Sequence, residues 1–389
     1  MSKTDRLLSA VPDAPDYRID WQAIGRGALA PFIDAMKTTG QNPKYHAEGS
    51  VWNHTTMVCE QLVSDPYFRV CSPRCRQELF LAALFHDVGK ITTTKLENGE
   101  LVSPNHAIVG AGAVREMLIR DYGSCGTAEL MAFREAICFM IRYHMTAPYI
   151  MGSDDPGRRL MRVASNGELT DDFTLERLLT LSRADATGKI AEDNAQIEQT
   201  VLTAGEAAKE KECYAGPRRF ASPFTEYACL SGRNVAPDVP LYNDTSFEVV
   251  MMCGLPGVGK DTYIGKHYPD RPMISLDEIR REYGISPAQD QQEVIRIAKA
   301  RAKELLRAKR SFVWNATCLT QAVRTRLVSL FTKYNAYVRI VYLEADFETN
   351  LRRNRERRYA VPQNVMDSML SKLSPPERFE AHEVEWKCI

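Results

Sequence analysis

Residues 254–262, with the sequence GLPGVGKDT, have the spacing of a phosphate-binding loop. The apolar run 247–253 before them predicts a buried strand, and 260–267 can begin a helix. In such a loop glycines turn the chain sharply and direct backbone N–H groups at a phosphate, and the lysine reaches the outer phosphates. The sequence therefore predicts a nucleoside triphosphate site formed by Gly254, Gly257, Val258, Gly259, Lys260, Asp261 and Thr262.

Histidine and aspartate side chains recur at the ends of apolar, helix-like segments in the first half of the chain. His86 and Asp87 follow the hydrophobic run 78–85, whereas a core helix normally ends on glycine or a cation. Five of the seven histidines precede residue 145. We expect convergence on a metal ion, with the candidate ligands His54, His86, Asp87, His106, His144 and Asp185.

Charged side chains after the phosphate-binding loop indicate phosphoryl transfer. Asp277 follows a short predicted strand, where a general base would face the loop; the alternative is a helix N-cap. Arg280 lies on the same helical face and offers a planar fork to a second phosphate. The arginine-rich run 352–358 is either a solvated face or a lid over the triphosphate, and its place beside a phosphate-binding loop favours the lid.

Strands and helices alternate in the second half of the chain. Predicted strands cover 247–253, 273–276, 311–315 and 336–344, and predicted helices cover 260–267, 287–309, 322–334, 346–358 and 362–373. This alternation predicts an α/β domain with a parallel sheet, whereas the first half reads as all-α. We expect a helical domain at 1–212, a connection rich in Pro, Gly and aromatic residues at 213–246, and a P-loop domain at 247–389.

Composition narrows the class of protein further. The first 246 residues carry a net charge of −6 and residues 247–389 a net charge of +6, so the second half is the better place for a polyanion. No apolar run is long enough to span a bilayer and no signal peptide is evident, which predicts a cytoplasmic protein that does not bind membranes. The ten cysteines include no CxxC pair, and Cys59, Cys138 and Cys253, in apolar surroundings, are expected to be reduced and buried.

The first half resembles the HD phosphohydrolase superfamily over residues 46–190. The stretch HAEGSVWNHT…HDVGK is especially similar to HD domains attached to CCA-adding tRNA nucleotidyltransferases. The resemblance implies that His54, His86, Asp87 and Asp185 hold one metal, and that His106 and His144 match the extra histidines of two-metal HD enzymes. Mixed imidazole and carboxylate ligands favour Mn, Co, Ni, Fe or Zn over Mg. Lys90 is placed to neutralise a phosphate, or is a solvated lysine at a helix end.

Residues 247–374 resemble polynucleotide 5′-kinases of the phage and bacterial RNA-repair type. The matching segments are GLPGVGKDT, SLDEIR and RNRERRYAVP. The resemblance implies that Lys260 is the loop lysine, Asp277 the general base, Arg280 the clamp on the acceptor's 3′ phosphate, and that the lid arginines are Arg353 and Arg357. Two positions depart from the phage pattern: Asp261 replaces a serine, which leaves the magnesium ligand open, and Ala316 replaces an aspartate that would support Arg280.

The order of the two halves resembles the bacterial HD-Pnk proteins, which heal both ends of broken RNA. This resemblance implies hydrolysis of 2′,3′-cyclic phosphate and of 2′- or 3′-phosphate ends, and transfer of a γ-phosphate from ATP or GTP, with Mg²⁺, to a 5′-hydroxyl. The expected partners are RNA ends, with tRNA and DNA ends as further candidates, and a separate RNA ligase.

Two other functions are compatible with the same motifs. A nucleotide phosphohydrolase fused to a small-molecule or nucleoside kinase would not need Arg280 or a basic groove. A non-catalytic switch that senses RNA or a nucleotide would use both folds as binding modules. The intact sets of candidate ligands in both halves favour an enzyme over a switch, because a sensor more often loses one of the sets.

Overall fold

The structure is a computed structural model that describes residues 7–26, 29–285, 291–357 and 359–389. The chain divides into two compact units. The first comprises the chain up to Ser124 together with Glu129–Arg218, and the second comprises Cys125–Ala128 and Arg219–Ile389. The two compact units separate along the chain after Arg218, and this point lies between the predicted domain boundaries at 212 and 247.

The first unit is helical, as predicted. Its helices within the described residues are α1 Trp21–Arg26, α2 Ala30–Thr38, α3 Val51–Ser64, α4 Pro66–Val70, α5 Pro73–Phe85, α6 Lys90–Thr93, α7 His106–Arg120, α8 Ala128–Tyr143, α9 Thr146–Met151, α10 Pro156–Ala164, α11 Gly167–Thr170, α12 Leu175–Thr187 and α13 Asn194–Glu210. Every residue from Glu78 to Phe85 in α5 is buried, so this helix forms the centre of the core. Its C-terminal end delivers His86 and Asp87 into the protein interior.

Serine, threonine and aspartate caps determine where several of these helices begin. Ser50 accepts the Asn53 N–H at 3.1 Å before α3, and Thr174 accepts the Arg177 N–H at 3.2 Å before α12. Such caps satisfy backbone donors that have no partner within the helix. They fix the first turns of the two helices that carry His54 and Asp185.

A small antiparallel hairpin interrupts the helices. Strands β1 Lys95–Glu97 and β2 Glu100–Val102 are joined at Asn98 and Gly99, whose φ values are 52° and 85°. An Asn-Gly pair favours such a turn because both residues tolerate positive φ. Sequence reasoning missed this signal. No helix in the described part of the chain is long and apolar enough to cross a membrane.

The second unit contains a five-stranded parallel sheet, which confirms the predicted α/β class. Its strands are β3 Glu248–Cys253, β4 Met273–Ser275, β5 Phe312–Asn315, β6 Tyr337–Glu344 and β7 Glu383–Cys388. Their spatial order is β4-β5-β3-β6-β7, and all neighbours run parallel. Because parallel strands end at the same edge of a sheet, the segments that follow β3, β4 and β5 meet there.

Among the described residues, one α-helix precedes this sheet and six follow between its strands. They are α14 Pro223–Leu230, α15 Lys260–His267, α16 Leu276–Glu282, α17 Gln292–Arg307, α18 Gln321–Thr332, α19 Phe347–Glu356 and α20 Gln363–Ser371. An apolar cluster joins the sheet to α15, with the buried members Val250, Met252, Val258, Ile264, Val313, Val341, Leu343 and Ala345. This cluster holds the loop between β3 and α15 against a rigid base.

Some predicted elements differ from the structure. The segment 213–246 was expected to be irregular, but α14 forms within it because Ser222 accepts the Thr225 N–H at 3.0 Å and Pro223 suits the first helical position. Strand β7 was missed, since its sequence EVEWKC lacks an uninterrupted apolar run. The predicted helix start at Pro287 and helix end at 358 lie outside the described residues.

His382 supplies a pH dependence to the second unit. It is 3% exposed, and its Nδ1 accepts the Val338 N–H of β6 at 3.1 Å. Burial, followed by the charges of Arg233 and Arg378, lowers the pKa of His382 to about 4. Because this folded pKa lies below the unfolded value of 6.5, the neutral ring contributes stability that is present above pH 6.5 and is lost as the pH falls through 4.

We therefore expect the β6 amides to lose protection against hydrogen exchange as the pH falls from 6.5 to 4. Protonation of His382 should lower their free energy of opening by up to about 3 kcal/mol. Hydrogen exchange measured by mass spectrometry and corrected for intrinsic rates checks this. His382→Gln keeps a neutral acceptor and should lose that part of the pH dependence. An identical pH profile in the wild type and in His382→Gln would contradict the assignment.

Candidate metal centre and phosphate-binding loop

Six candidate metal ligands come together inside the first unit. They come from α3, the end of α5, the start of α7, the end of α8 and the last turns of α12, and they are His54, His86, Asp87, His106, His144 and Asp185. His54, His86, Asp87 and His144 are each at most 1% exposed. Five separate helices therefore place imidazole and carboxylate groups around one buried space.

Backbone carbonyls orient three of the histidine rings. The Nδ1 atoms of His86, His106 and His144 lie 2.7, 3.0 and 2.7 Å from the carbonyl oxygens of Ala83, Ser103 and Ile141. Each carbonyl is three residues upstream of its histidine, and a carbonyl can only accept a proton. The Nδ1 atoms therefore carry a hydrogen, so each ring in its neutral form presents the Nε2 lone pair to the interior.

These Nε2 atoms surround Asp87 in two groups. His106 Nε2 lies 3.3 Å and His144 Nε2 3.9 Å from Asp87 Oδ1, whereas His86 Nε2 lies 3.4 Å and His54 Nε2 3.6 Å from Oδ2. Within each group one ligand atom per residue lies within 4.8 Å of the others. Asp87 therefore belongs to both groups, with one oxygen facing each.

The chemistry of this donor set fits divalent cations. His54 Nε2 is 3.2 Å from His86 Nε2, and His106 Nε2 is 3.4 Å from His144 Nε2. With Nδ1 already donating, the facing Nε2 lone pairs of His106 and His144 repel one another unless a proton or a cation lies between them. Asp87 Oδ1 is buried and accepts no hydrogen bond from the described residues, whereas the Lys90 ammonium lies 2.7 Å from Oδ2. A bound metal ion would remove the repulsion between the lone pairs and would give the Asp87 carboxylate a partner, because metal ligands are unprotonated imidazole and carboxylate groups.

His54 has a different support, which sequence reasoning missed. Glu48 Oε1 lies 3.1 Å from His54 Nδ1 and 2.9 Å from His46 Nδ1, and its Oε2 accepts the Ile190 N–H at 3.0 Å. Carboxylates that hold the far nitrogen of a ligating histidine fix its orientation and raise its basicity. The signal in the sequence was the His-Ala-Glu segment that precedes the Ser50 cap.

The protonation states reflect the buried charges. Burial lowers the pKa of His54, but hydrogen bonds with Asp185 and Glu48 outweigh it and raise this pKa to about 9. Burial and the neighbouring His86 lower the pKa of His144 to about 3, so its ring is neutral. Burial raises the pKa of Asp185, but its bond with His54, 3.0 Å long, leaves the pKa below its ordinary value. A cation would therefore compete with the proton on His54.

Lys90 is buried beside this cluster. Its Nζ lies 2.7 Å from Asp87 Oδ2 and donates to Gln41 Oε1 at 2.7 Å. Burial raises the pKa of Asp87, but the charge of Lys90 and then His86 keep it well below its ordinary value. The solvated alternative for Lys90 is wrong, because this residue is only 8% exposed. Its predicted contact with a phosphate stays a prediction.

Two glycines permit the close approach of the helices that carry these ligands. A Cβ on Gly89 would lie 2.0 Å from the carbonyl oxygen of His106, so α7 can pack against the His86-Asp87 segment only if residue 89 has no side chain. A Cβ on Gly188 would lie 2.7 Å from Val58 Cα. The end of α12 therefore packs directly on α3, which brings Asp185 to His54.

The predicted phosphate-binding loop connects β3 to α15. Its glycines have φ values that favour glycine: Gly254 +137°, Gly257 +81° and Gly259 +97°. A Cβ on Gly257 would lie 3.0 Å from the Asn350 carbonyl oxygen and 3.1 Å from the Asn354 N. The start of α15 and the packing of α19 therefore determine the conformation of the loop. Its glycines allow the backbone N–H groups to face an anion.

Lys260 folds back on its own loop in this structure. Its Nζ donates to the carbonyl oxygens of Gly254 and Leu255 at 3.0 and 2.9 Å. Burial lowers the pKa of Lys260 to about 8, against the opposing charges of Asp261 and Asp277. The carbonyls hold the ammonium group inside the loop, where a phosphate would replace them as its partner.

Asp261 points at the neighbouring strand. Asn315 Nδ2, at the end of β5, donates to Asp261 Oδ1 at 2.7 Å. Asp261 and Thr262 are exposed in the first turn of α15. Asn315 therefore fixes the orientation of the carboxylate that replaces the serine of the phage pattern, a role that sequence reasoning missed. Only its position at the end of a buried strand signalled that Asn315 faces this edge.

The predicted general base lies between two arginines. Asp277 Oδ1 accepts from Arg280 Nη1, and Arg357 Nη2 lies 3.7 Å from Asp277 Oδ2. Ser275 accepts the Glu278 N–H at 3.3 Å, so Ser275 and not Asp277 is the N-cap of α16. The N-cap alternative for Asp277 is therefore wrong. Arg280 also donates to Gln291 Oε1 at 2.6 Å, so a second side chain holds its guanidinium group.

The arginine-rich run is split between two environments. Arg357 approaches Asp277, whereas Arg353 is exposed on α19. Between them Asn354 is buried and bonds to both the N–H and the carbonyl of Val361, at 3.1 and 2.8 Å. These bonds tie the end of α19 to the segment that follows it, and Arg358 lies outside the described residues.

Removal of the carboxylate behind His54 should weaken metal binding. We expect Glu48→Gln to lower affinity for Mn²⁺ by about 10- to 100-fold, because His54 loses the partner that fixes its ring. Equilibrium dialysis measures this, with circular dichroism as a check on folding. Glu60→Gln, an exposed change on the helix that carries His54, is the matched control. Equal affinity in Glu48→Gln and the wild type would contradict the role given to Glu48.

Asp261 should set the magnesium requirement of the P-loop. We expect Asp261→Ala to raise the Mg²⁺ concentration for half-maximal kinase activity, and Asp261→Ser to restore much of it, because both oxygen groups are magnesium ligands. If Asp261 acts only on the dipole of α15, Asp261→Ala instead lowers the free energy of unfolding by about 1 kcal/mol. An unshifted magnesium titration would then exclude the metal role.

Two family models match this chain. The HD domain model matches residues 51–188, and the AAA domain model, a P-loop family, matches residues 249–376. The first range contains all six candidate metal ligands, and the second contains the phosphate-binding loop, Asp277 and α19. The chain therefore carries an HD phosphohydrolase domain followed by a P-loop kinase-like domain.

Proposed function

We propose that the protein is a bifunctional enzyme that heals RNA ends. The HD domain hydrolyses 2′,3′-cyclic phosphate and 2′- or 3′-phosphate ends to hydroxyls, and the P-loop domain transfers the γ-phosphate of ATP or GTP to a 5′-hydroxyl. The observation that carries the proposal is the contact between Asp277 and Arg280 after β4. A carboxylate that can accept a proton and a guanidinium that can bind a phosphate lie together near the P-loop, which supports the proposal.

In the kinase reaction Asp277 accepts the proton of the attacking 5′-hydroxyl. Its side chain is 62% exposed, so an acceptor can reach it, and Arg280 and Arg357 flank the carboxylate. Arg280 then exchanges its contact with Asp277 for the acceptor's 3′ phosphate. Lys260 releases the loop carbonyls for the outer phosphates, and Arg353 and Arg357 neutralise the charge that develops on the transferred group.

In the phosphohydrolase reaction the histidine cluster prepares the site before substrate arrives. His86, His106 and His144 keep their Nε2 lone pairs directed at the centre, and Asp87 and Asp185 balance positive charge there. Divalent ions bound by these six residues would supply a deprotonated water and stabilise charge on the phosphoryl oxygens. Lys90 orients Asp87 and is the nearest fixed cation for a phosphate.

The pairing of the two activities follows from RNA chemistry. Many ribonucleases leave a 2′,3′-cyclic phosphate on one fragment and a 5′-hydroxyl on the other, whereas ligation requires the opposite ends. A protein with both activities makes both ends ligatable, and a separate RNA ligase would then seal them. The net charge of +6 on residues 247–389 favours a polyanionic acceptor over a neutral small molecule.

One RNA substrate tests both activities together. An oligonucleotide with a 5′-hydroxyl and a 2′,3′-cyclic phosphate is incubated with ATP, Mg²⁺ and Mn²⁺, and both ends are analysed by mass spectrometry. We expect a 5′-phosphate and a free 2′,3′-diol. Activity on free nucleotides and nucleosides alone would favour a nucleotide phosphohydrolase fused to a small-molecule kinase. Binding of RNA without turnover under all metals would favour a sensing switch.

The two activities should separate by mutation, because their residues lie in different domains. We expect Asp277→Asn to abolish 5′ phosphorylation and to leave 3′-end hydrolysis within about twofold of the wild type. Asp87→Asn should do the reverse, since it removes the carboxylate shared by both histidine groups. Loss of both activities in a single variant that retains its circular dichroism spectrum would contradict two independent sites.

A further inference from the structure

The segment after α19 lies against the helix that carries the general base. Arg357 Nη2 is 3.7 Å from Asp277 Oδ2, and Arg281 Cζ is 5.9 Å from the centroid of the Tyr359 ring. Arg357 and Tyr359 belong to the segment after α19, here called the lid segment, and each contacts a residue of α16. Because Arg281 lies one helical turn after Asp277, on the same face of α16, the Tyr359 ring lies beside the face that carries Asp277.

The Tyr359 ring is largely exposed to solvent although it lies beside α16. It is 58% exposed although Arg281 covers part of it. The chain around it is anchored, because Asn354 bonds to the N–H and carbonyl of Val361, two residues beyond Tyr359. An anchored ring with an open surface, next to guanidinium groups, has the properties of a platform on which a nucleobase stacks.

The charges around Tyr359 also suit a nucleotide. Arg280 and Arg357 flank the Asp277 carboxylate, so phosphates on the acceptor find cations on both sides of the reacting hydroxyl. The planar guanidinium of Arg281 already lies near the ring. A nucleobase is also planar, so it can stack on the ring in place of the guanidinium or on the part of the ring that the guanidinium leaves uncovered. A neutral polyol acceptor would use neither the ring nor the second cation.

We propose that Tyr359 is the stacking platform for the base of the acceptor's 5′-terminal nucleotide. This inference rests on the proposed function, and it defines the substrate class of that site as nucleic acid with an intact terminal base. Stacking on Tyr359 holds the terminal ribose so that its 5′-hydroxyl faces Asp277. The interaction carries little sequence preference, because every base has a π-face.

The test compares acceptors with and without a terminal base. For an RNA acceptor, we expect Tyr359→Ala to raise KM about 5- to 150-fold, the equivalent of about 1–3 kcal/mol of stacking. The KM for ATP should stay unchanged, and Tyr359→Phe or Tyr359→Trp should restore binding of the acceptor. With an acceptor whose 5′-terminal ribose is abasic, the wild type and Tyr359→Ala should have the same KM.

Tyr283→Ala is the matched control. Tyr283 is 53% exposed and also pairs with an arginine, since Arg301 Cζ lies 6.0 Å from its ring centroid. It lies at the far end of α16, six residues and about 9 Å along the helix axis from Asp277. Its removal should leave the KM of a single-nucleotide acceptor, a nucleoside 3′-phosphate, unchanged.

Each outcome bears on a different claim. If the wild type phosphorylates no 5′-hydroxyl RNA, the proposed kinase function fails and the role of Tyr359 fails with it. If the wild type is active but Tyr359→Ala binds RNA as tightly as the wild type, only the stacking inference fails. If Tyr359→Ala impairs the abasic acceptor equally, Tyr359 acts by positioning the lid segment, which also overturns the inference.

Discussion

The hydrogen bonds between three histidine Nδ1 atoms and the carbonyls three residues before them are the constraint on which the HD site depends. They turn His86, His106 and His144 so that the Nε2 atoms face Asp87, which is itself buried. Such an arrangement is costly without a positive charge, because lone pairs and a buried carboxylate oppose one another. The all-helical fold around the site fixes these rings in place.

The P-loop domain reaches its arrangement by a different principle. A parallel sheet gathers the ends of its strands at one edge, so the loop after β3, the Asp277 helix after β4 and Asn315 at the end of β5 meet without special contacts. Side chains then refine the edge: Asn315 orients Asp261, and Gln291 and Asp277 share Arg280. Here the backbone supplies the anion site, whereas in the HD domain side chains supply the cation site.

Local patterns in the sequence predicted the elements well and the support of the site poorly. The phosphate-binding loop and helix 260–267 could be read from glycine spacing, and the parallel sheet from the alternation of elements. Glu48, Gln41 and Asn315 could not be found in that way. Gln41 and Asn315 act on partners that are distant in the sequence, Lys90 and Asp261. Glu48 joins the nearby His54 to Ile190, which is 142 residues further along the chain. Similarly, β7 depends on pairing with β6 rather than on its own composition.

The number and coupling of bound ions test the account of the HD site most directly. The protein is dialysed against Mn²⁺, its metal content is measured, and electron paramagnetic resonance reports whether the ions are coupled. Because one oxygen of Asp87 faces each histidine group, we expect two Mn²⁺ per chain in this domain with a spin-coupled spectrum, and loss of the coupling in Asp87→Ala. Two uncoupled ions in the wild type, or coupling that persists in Asp87→Ala, would contradict the shared role of Asp87.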